Sequence, residues 1–369
     1  MKKYLYIIRT SDHPDNVVLS HAKTAKKVGF EPVFVFPNRL NSKDFSKFYS
    51  DYKYIRLNFI FDNSNIFNYL FSISKLLMHT TYKFFFKSNA KHFLAIDFIG
   101  TLACFFLRFR GKSIHSLIND NFSASYNVSK FMFTLLRLIE FFCYRLISNS
   151  CIFPDKSRYE LIKIFPLKNV YFIPNILSRT NIRYKGNKNS DLIVMFCGWL
   201  VSTRGLELLK DIVKLTDKNI KFLLVGRGDQ KLIKALKKNK RIKHIDYVTR
   251  NKNLNIMSKV DINFAFYNPH ILINRYALPQ KIYDAIMIGC PLFVNSEVEM
   301  SKKLVKSKFC FKAKYFDVFS ISNKLNIIIK NKAPLRKMTQ SIKKNSFKYI
   351  NYKKININKF NFYKNIISL

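Results

Sequence analysis

The stretch from Tyr276 to Asn295 constrains what this chain can fold into more than any other. Pro279 ends a loop, and a short helical run follows with Lys281 and Asp284 on one face. Gly289 and Pro291 stop the helix, and Pro-Leu-Phe-Val then reads as a buried strand. Loop, helix, glycine turn and apolar strand, in that order, form the unit from which parallel α/β sheets are built. A cation and a carboxylate three residues apart are neighbours on a helix surface. That spacing suits a phosphate and the ribose beside it.

The same grammar recurs along the chain. Tyr4–Ile8 reads as a first strand; a polar loop, a helix from Val17 that stops at Gly29, and a strand over Pro32–Phe36 follow. Phe93–Asp97, Lys112–Ile118, Cys151–Phe153 and Val170–Ile173 continue the series, with a helix expected from Gly100 to Phe109. After a basic stretch without apolar periodicity, strands are expected at Leu192–Phe196, Lys221–Val225, Ile242–Val248, Asp261–Phe266 and Leu292–Val294. At 369 residues the chain is too long for one ordinary core, so two domains is the natural division.

A hydrophobic fraction of 48% with 37 phenylalanines excludes a disordered chain. Cysteines 104, 143, 151, 197, 290 and 310 show no C-x-x-C spacing and read as reduced, buried thiols. The histidines form no metal-binding pair, and no D-x-D motif, Walker loop or Ser-His-Asp pattern is visible, so no metal is expected. The net charge of +43 comes from 65 bases against 22 acids. AT-biased coding would supply much of the Lys, Asn, Ile, Phe and Tyr, but it would enrich Glu too. Part of the excess therefore asks for an anionic partner: a bilayer surface, a phosphorylated substrate or nucleic acid. No segment reaches the roughly 18–20 apolar residues of a spanning helix. The short apolar run before Arg9 reads as a strand, not a signal peptide. A cytoplasmic protein is expected, either free in the cytosol or peripheral at the inner face of the cell membrane. The aromatic, cationic segment 66–87 suits either membrane docking or packing, whereas segment 128–147 is expected to pack, with Lys130, Thr134, Arg137 and Arg145 as its solvated stripe.

The wording of residues 276–295 resembles a block of retaining, nucleotide-sugar-dependent glycosyltransferases, the group 1 or family 4 type. Members often read Pro-Asn-Lys-Leu-Phe-Glu-Tyr-Met-Ala-Ala-Gly-Lys-Pro-Val-Ile there. Gly198 through Arg204-Gly205 is similar to their Gly-Arg-Leu…Lys-Gly turn, and Pro174-Asn175 to the pair that closes their first domain. The resemblance implies an α/β GT-B fold, two Rossmann-like domains with parallel sheets facing across a cleft. It implies a first, acceptor-side domain over 1–176, a linker over 177–190, a donor domain over 191–345, and a segment 346–369 returning to the first domain.

It also implies a set of site residues. Arg204 would grip the donor diphosphate, Lys281 would add charge, and Asp284 would take the ribose hydroxyls. Gly198 and Gly226, the latter in the turn Gly226-Arg227-Gly228-Asp229, would let backbone approach the nucleotide, and Asn274 would touch sugar or phosphate. Trp199 stands where the first cation is expected and Tyr276 where an acid is expected. Asp246 replaces an expected glycine. On the acceptor side, Asp12, Asp97 and Asp120 occupy strand-end loops from which a base would come. The implied donor is a nucleoside-diphosphate-sugar and the acceptor a saccharide, lipid-linked, of a bacterial surface polysaccharide. No cofactor and no metal are implied. Two alternatives stay open: a non-catalytic relative of the same fold, given Trp199 and Tyr276, and a basic nucleic-acid-binding protein, given a pI near 10. The second is disfavoured because the bases lie scattered over helices and tail rather than on one module.

Overall fold

The computed structural model describes residues 3–11, 15–39, 49, 51–86 and 90–368. The chain divides into two compact units, residues 1–177 with 353–369, and residues 178–352. The first unit runs β1 (Lys3–Ile8), α1 (Asn16–Val28), β2 (Phe30–Arg39), β3 (Lys53–Phe61), α2 (Ile66–Thr81), β4 (His92–Ile96), α3 (Asp97–Leu102) and α4 (Phe105–Phe109). It continues through β5 (Ser113–Leu117), α5 (Lys130–Ile147), β6 (Ser150–Phe153), α6 (Lys156–Ile162) and β7 (Val170–Phe172). A π-helical turn, Tyr82–Phe86, extends α2. The strands pair in parallel in the order β3-β2-β1-β4-β5-β6-β7.

Strand β1 shows why both faces need cover. Leu5 and Ile7 bury on one face with Val18, Ala22 and Ala25 of α1, whereas Ile8 belongs to the cluster on the other face. Alternation with apolar residues on both sides is what a sheet sandwiched by helices demands. Asp15 starts α1 by accepting from the Val17 and Val18 amides at 2.8 and 3.3 Å.

The second unit runs β8 (Leu192–Leu200), α7 (Leu209–Leu215), β9 (Ile220–Gly228), α8 (Gln230–Leu236), β10 (Ile242–Ile245), α9 (Arg250–Met257) and β11 (Ile262–Ala265). Then come α10 (Leu272–Arg275), α11 (Gln280–Ile288), β12 (Leu292–Asn295), α12 (Glu299–Lys306), β13 (Cys310–Ala313), α13 (Val318–Lys330) and α14 (Ala333–Tyr349). Its strands are parallel in the order β10-β9-β8-β11-β12-β13. Together the sheets make an α/β protein of two Rossmann-like units.

The final helix, α15 (Tyr352–Ile367), gives the first unit part of its core. Phe362, Tyr363 and Ile366 pack with α1 and the strands, and the Tyr363 hydroxyl meets His21 Nδ1 at 3.0 Å. Lys359 donates to Ser20 Oγ at 2.9 Å.

Several expectations need correction. β3 and β13 were not anticipated, and the helix expected over 100–109 is two short ones, α3 and α4. The basic stretch expected as linker is hydrogen-bonded into the second unit: the Tyr184 amide donates to Ile288 O, and the Lys185 and Gly186 amides both donate to Ser258 O. Helix α5 does not bury its apolar surround, since Phe131 is 76% and Leu146 63% exposed. Its inner side holds Glu140, whose carboxylate accepts from the Phe122 and Ser123 amides at 2.8 and 2.9 Å.

Candidate active site

In an open parallel sheet, strands on either side of the first strand run their crossovers in opposite directions, which leaves a crevice at their carboxyl ends. That switch point falls between β8 and β11 in the second unit and between β1 and β4 in the first. Each is treated by itself.

In the second unit, the loop after β8 carries Arg204 and the residue two past β11 is Tyr267. The Arg204 guanidinium and the Lys281 ammonium lie 5.6 and 5.4 Å from the centroid of the Tyr267 ring. Two cations thus share one aromatic ring, whose quadrupole attracts both. The Arg204 turn is pinned from below: the Gly205 amide donates to the Tyr315 hydroxyl at 3.1 Å, and that hydroxyl donates to Glu207 at 2.9 Å. A side chain at Gly205 would come within 3.0 Å of Phe266 Cβ, and its φ is 84°. Only glycine fits there.

Lys281 stands in the first turn of α11 and is only partly exposed. Burial, with Arg204 adding to it, pushes its pKa down to about 8. The lysine therefore stays protonated at neutral pH with little to spare, which an arriving dianion would reinforce. Asn263 of β11 sets the start of this helix by donating to Lys281 O at 3.3 Å.

One turn on, Asp284 is buried and paired with Arg250, whose Nη2 and Nε approach Oδ1 at 2.7 and 3.2 Å. Gln280 Nε2 donates to the same oxygen at 3.0 Å. Every one of these bonds ends on Oδ1, so the carboxylate is oriented by one oxygen while Oδ2 takes none of them. Burial raises the Asp284 pKa, and Arg250 opposes that rise. Arg250 and Tyr267 are the members of this site that sequence reading missed. Neither sits in a recognisable motif, although Arg250 opens α9 after the short loop that follows β10.

The other expected donor-side residues have structural partners. Gly226 lies opposite Gly198 in the β8–β9 register, and a Cβ on Gly226 would sit 2.0 Å from Gly198 O. Gly228 would likewise strike Leu200 O at 1.8 Å. These glycines allow two strands to approach, which is a different role from the expected approach to a nucleotide. Asn274 donates to Asn268 O at 2.9 Å and so closes its own loop. Trp199 is 54% exposed. Asp246, found where a glycine was expected, pairs with Arg227 at 3.0 Å, and Arg227 lies 5.2 Å from the Tyr247 ring.

In the first unit, Asp97 follows β4 directly and starts α3 with φ of 56°. Its Oδ1 accepts from the Asn119 and Asp120 amides at 2.7 and 3.3 Å, tying the loop after β5 to the end of β4. Burial first and the Asp120 charge second push its pKa up to about 8. Below that pH Asp97 is a protonated hydrogen-bond donor more than a base, which departs from the expected role. Asp120 is exposed and pairs with Arg158 at 3.0 Å. Asn175 donates to Asn119 at 3.0 Å, which fixes the end of this unit to the same loop. Asp12 lies outside the described residues. Among the described residues no group of three His, Cys, Asp or Glu side chains could hold a metal ion.

Comparison with known proteins shows the fold to be shared. The chain superposes along 99% of its length on 99% of sucrose-phosphate synthase from Thermosynechococcus elongatus, with a TM-score of 0.75 at 12% identity. HepE from Anabaena, solved with UDP and glucose, covers 100% of both chains with a TM-score of 0.69 at 12% identity. The lipopolysaccharide outer core galactosyltransferase WaaB covers 99% of both with a TM-score of 0.60 at 13% identity. No curated protein matches the sequence. The two units thus define a GT-B protein. Residues 178–348 match the family described as glycosyl transferases group 1.

Proposed function

We propose that this enzyme moves a sugar from a nucleoside-diphosphate-sugar to a hydroxyl of a lipid-linked saccharide in surface-polysaccharide assembly, with retention at the transferred carbon and without a metal. The observation that carries the donor half is the Arg204–Tyr267–Lys281 cluster with Asp284 one helical turn away. Departure of a nucleoside diphosphate concentrates negative charge on its terminal phosphate. Arg204 and Lys281 are positioned to stabilise that charge, and losing one such donor typically costs about 10²–10³ in rate. Asp284, oriented through Oδ1, offers Oδ2 to the ribose hydroxyls. UDP and glucose in HepE support a nucleotide-sugar donor, and the names of WaaB and of TarM, bound to a GlcNAc-glycerol, support a saccharide-type acceptor. The net charge of +43 supports work beside an anionic membrane surface at the cytoplasmic face. No described helix is long and apolar enough to cross a membrane.

A thermal-shift panel of UDP, GDP, ADP and dTDP tests the donor half. At a ligand concentration of 100 Kd the true donor's diphosphate adds about 2.7 kcal/mol of stability. Lys281→Ala removes most of that shift, and Asp284→Asn, which keeps an acceptor for Arg250, reduces it. A panel in which both variants respond like the parent places the nucleotide elsewhere.

A further inference from the structure

Helix α5 is anchored on one side and bare on the other. Its inner side is held by Glu140, which also accepts from Ser123 Oγ at 2.7 Å, and by the buried Phe141, Tyr144 and Ile147. Its outer side carries Phe131, Leu135, Leu138, Ile139, Phe142 and Leu146, every one of them exposed. At about 100° per residue these six fall within an arc of roughly 100° on the helix surface. Phe131, Leu135, Leu138 and Phe142 follow the alternating spacing of a seam between packed helices. Phe165, on the segment after α6, stands exposed beside the helix, its ring 6.3 Å from that of Phe141.

Charge is scarce on this face for a structural reason. Glu140, the only acid of α5, is buried on the inner side. Arg137 Nη2 donates to Lys163 O, and Arg145 Nη1 donates to Pro166 O at 3.1 Å, so both guanidinium groups are drawn to the segment after α6. Lys130, in the first turn, is the remaining base of the helix. A helix that lies on an anionic bilayer keeps its cations for the headgroups. In α5 two of the three are turned to the protein's own carbonyls, which leaves a face suited to an apolar partner. With Val128, Met132 and Phe165 the face exposes on the order of 700 Å², taking about 150–250 Å² for each whole aromatic side chain. Two such faces bring together about 1,400 Å², inside the range of about 1,200–2,000 Å² that specific protein–protein interfaces bury.

We infer that the outer face of α5 is a homodimer interface, on which a second copy of this chain seats its own α5 across a two-fold axis. A two-fold contact uses the same surface twice, so apolar stripe meets apolar stripe with no complementary site needed elsewhere. Leu138 and Ile139, mid-helix, take the positions nearest the axis, and antiparallel pairing sends the two copies of Lys130 to opposite ends. A net charge of +43 per chain works against association, and salt screens that repulsion. Dimerisation through an apolar face therefore tightens as salt rises, whereas binding to an anionic bilayer weakens. Dimerisation needs no part of the donor assignment and is tested apart from it.

Sedimentation equilibrium of the full chain, without nucleotide or lipid, is measured at about 0.15 M and about 0.5 M salt. The parent sediments as a reversible dimer whose dissociation constant falls several-fold at the higher salt. Leu138→Lys sets like charges against each other at the axis and weakens the dimer by about tenfold or more, and Phe142→Lys does the same from a second position. Leu138→Met, close in volume, leaves the dissociation constant within about twofold. Phe319→Ser, which removes an exposed aromatic from α13, leaves the dimer as in the parent. Circular dichroism spectra of these variants match the parent's and serve as the folding control. A parent that stays monomeric at about 100 μM in both salts overturns the inference, and so does a dimer that both lysine variants leave intact. A monomer whose co-sedimentation with phosphatidylglycerol vesicles is lost in Leu138→Lys gives the face to a bilayer and overturns it too.

Discussion

At Asp97, in the first unit, burial and a like charge work against two amide hydrogen bonds. Its carboxyl is surrounded by protein, faces the charge of Asp120, and is reached by two amides that favour the ionised form. Burial and repulsion win, so the folded protein keeps the proton up to about pH 8. An unfolded aspartate loses it near pH 3.9. Between those values the folded state binds more protons than the unfolded one, so this group's contribution to stability falls as pH rises. Asp97→Asn keeps the Oδ1 acceptor and tolerates a positive φ while removing the titration. Its melting temperature should exceed the parent's by a few degrees at pH 8 and converge with it near pH 4. Calorimetry across that range checks it, and a constant difference at all pH values would leave the raised pKa without support. At Asp284 burial raises the pKa as well, but there a cation, Arg250, opposes the rise and aligns the carboxylate through Oδ1.

At the scale of elements, α2 and its π-helical extension are the part of the first unit most at odds with a water-facing surface. A patch with Phe67 80% and Phe86 70% exposed is costly in water unless something covers it. Phe67→Ser with Phe71→Ser should reduce co-sedimentation with phosphatidylglycerol vesicles several-fold, the parent's binding itself falling with added salt. Equal sedimentation of parent and variant would remove α2 from the membrane face. The same helix shows what the sequence did and did not disclose. Its aromatic and cationic character was legible, and so were eleven of the thirteen described strands, because apolar runs between turn residues leave little else for the chain to do. β3 escaped because Arg56, Asn58 and Ile60 point outward between the buried Leu57, Phe59 and Phe61, an edge-strand alternation less conspicuous than a solid apolar run. β13 has only Cys310–Ala313 to announce it. Arg204, Lys281 and Asp284 were legible from local wording. Arg250 and Tyr267 come from other elements, and only the strand order brings them to α11.

For the molecule as a whole, α15 ties the far end of the described chain to the core of the first unit. Phe362, Tyr363 and Ile366 sit in the core beside α1, although more than 300 residues separate them from it in sequence. Ending the chain at residue 351 should therefore lower the melting transition of the first unit while the nucleotide-stabilised transition of the second stays in place. Removing three buried side chains of this size forfeits several kcal/mol, at about 2–5 each. Differential scanning calorimetry with and without nucleoside diphosphate separates the two; a single unchanged transition would show α15 dispensable. A consequence reaches back to synthesis. Domains ordinarily mature in the order in which the ribosome releases them, but here the first unit must wait for α15 to be translated. Its final packing is thereby postponed until the second unit has already emerged, and a nascent chain stalled short of Lys353 leaves the first unit with an open hydrophobic seam.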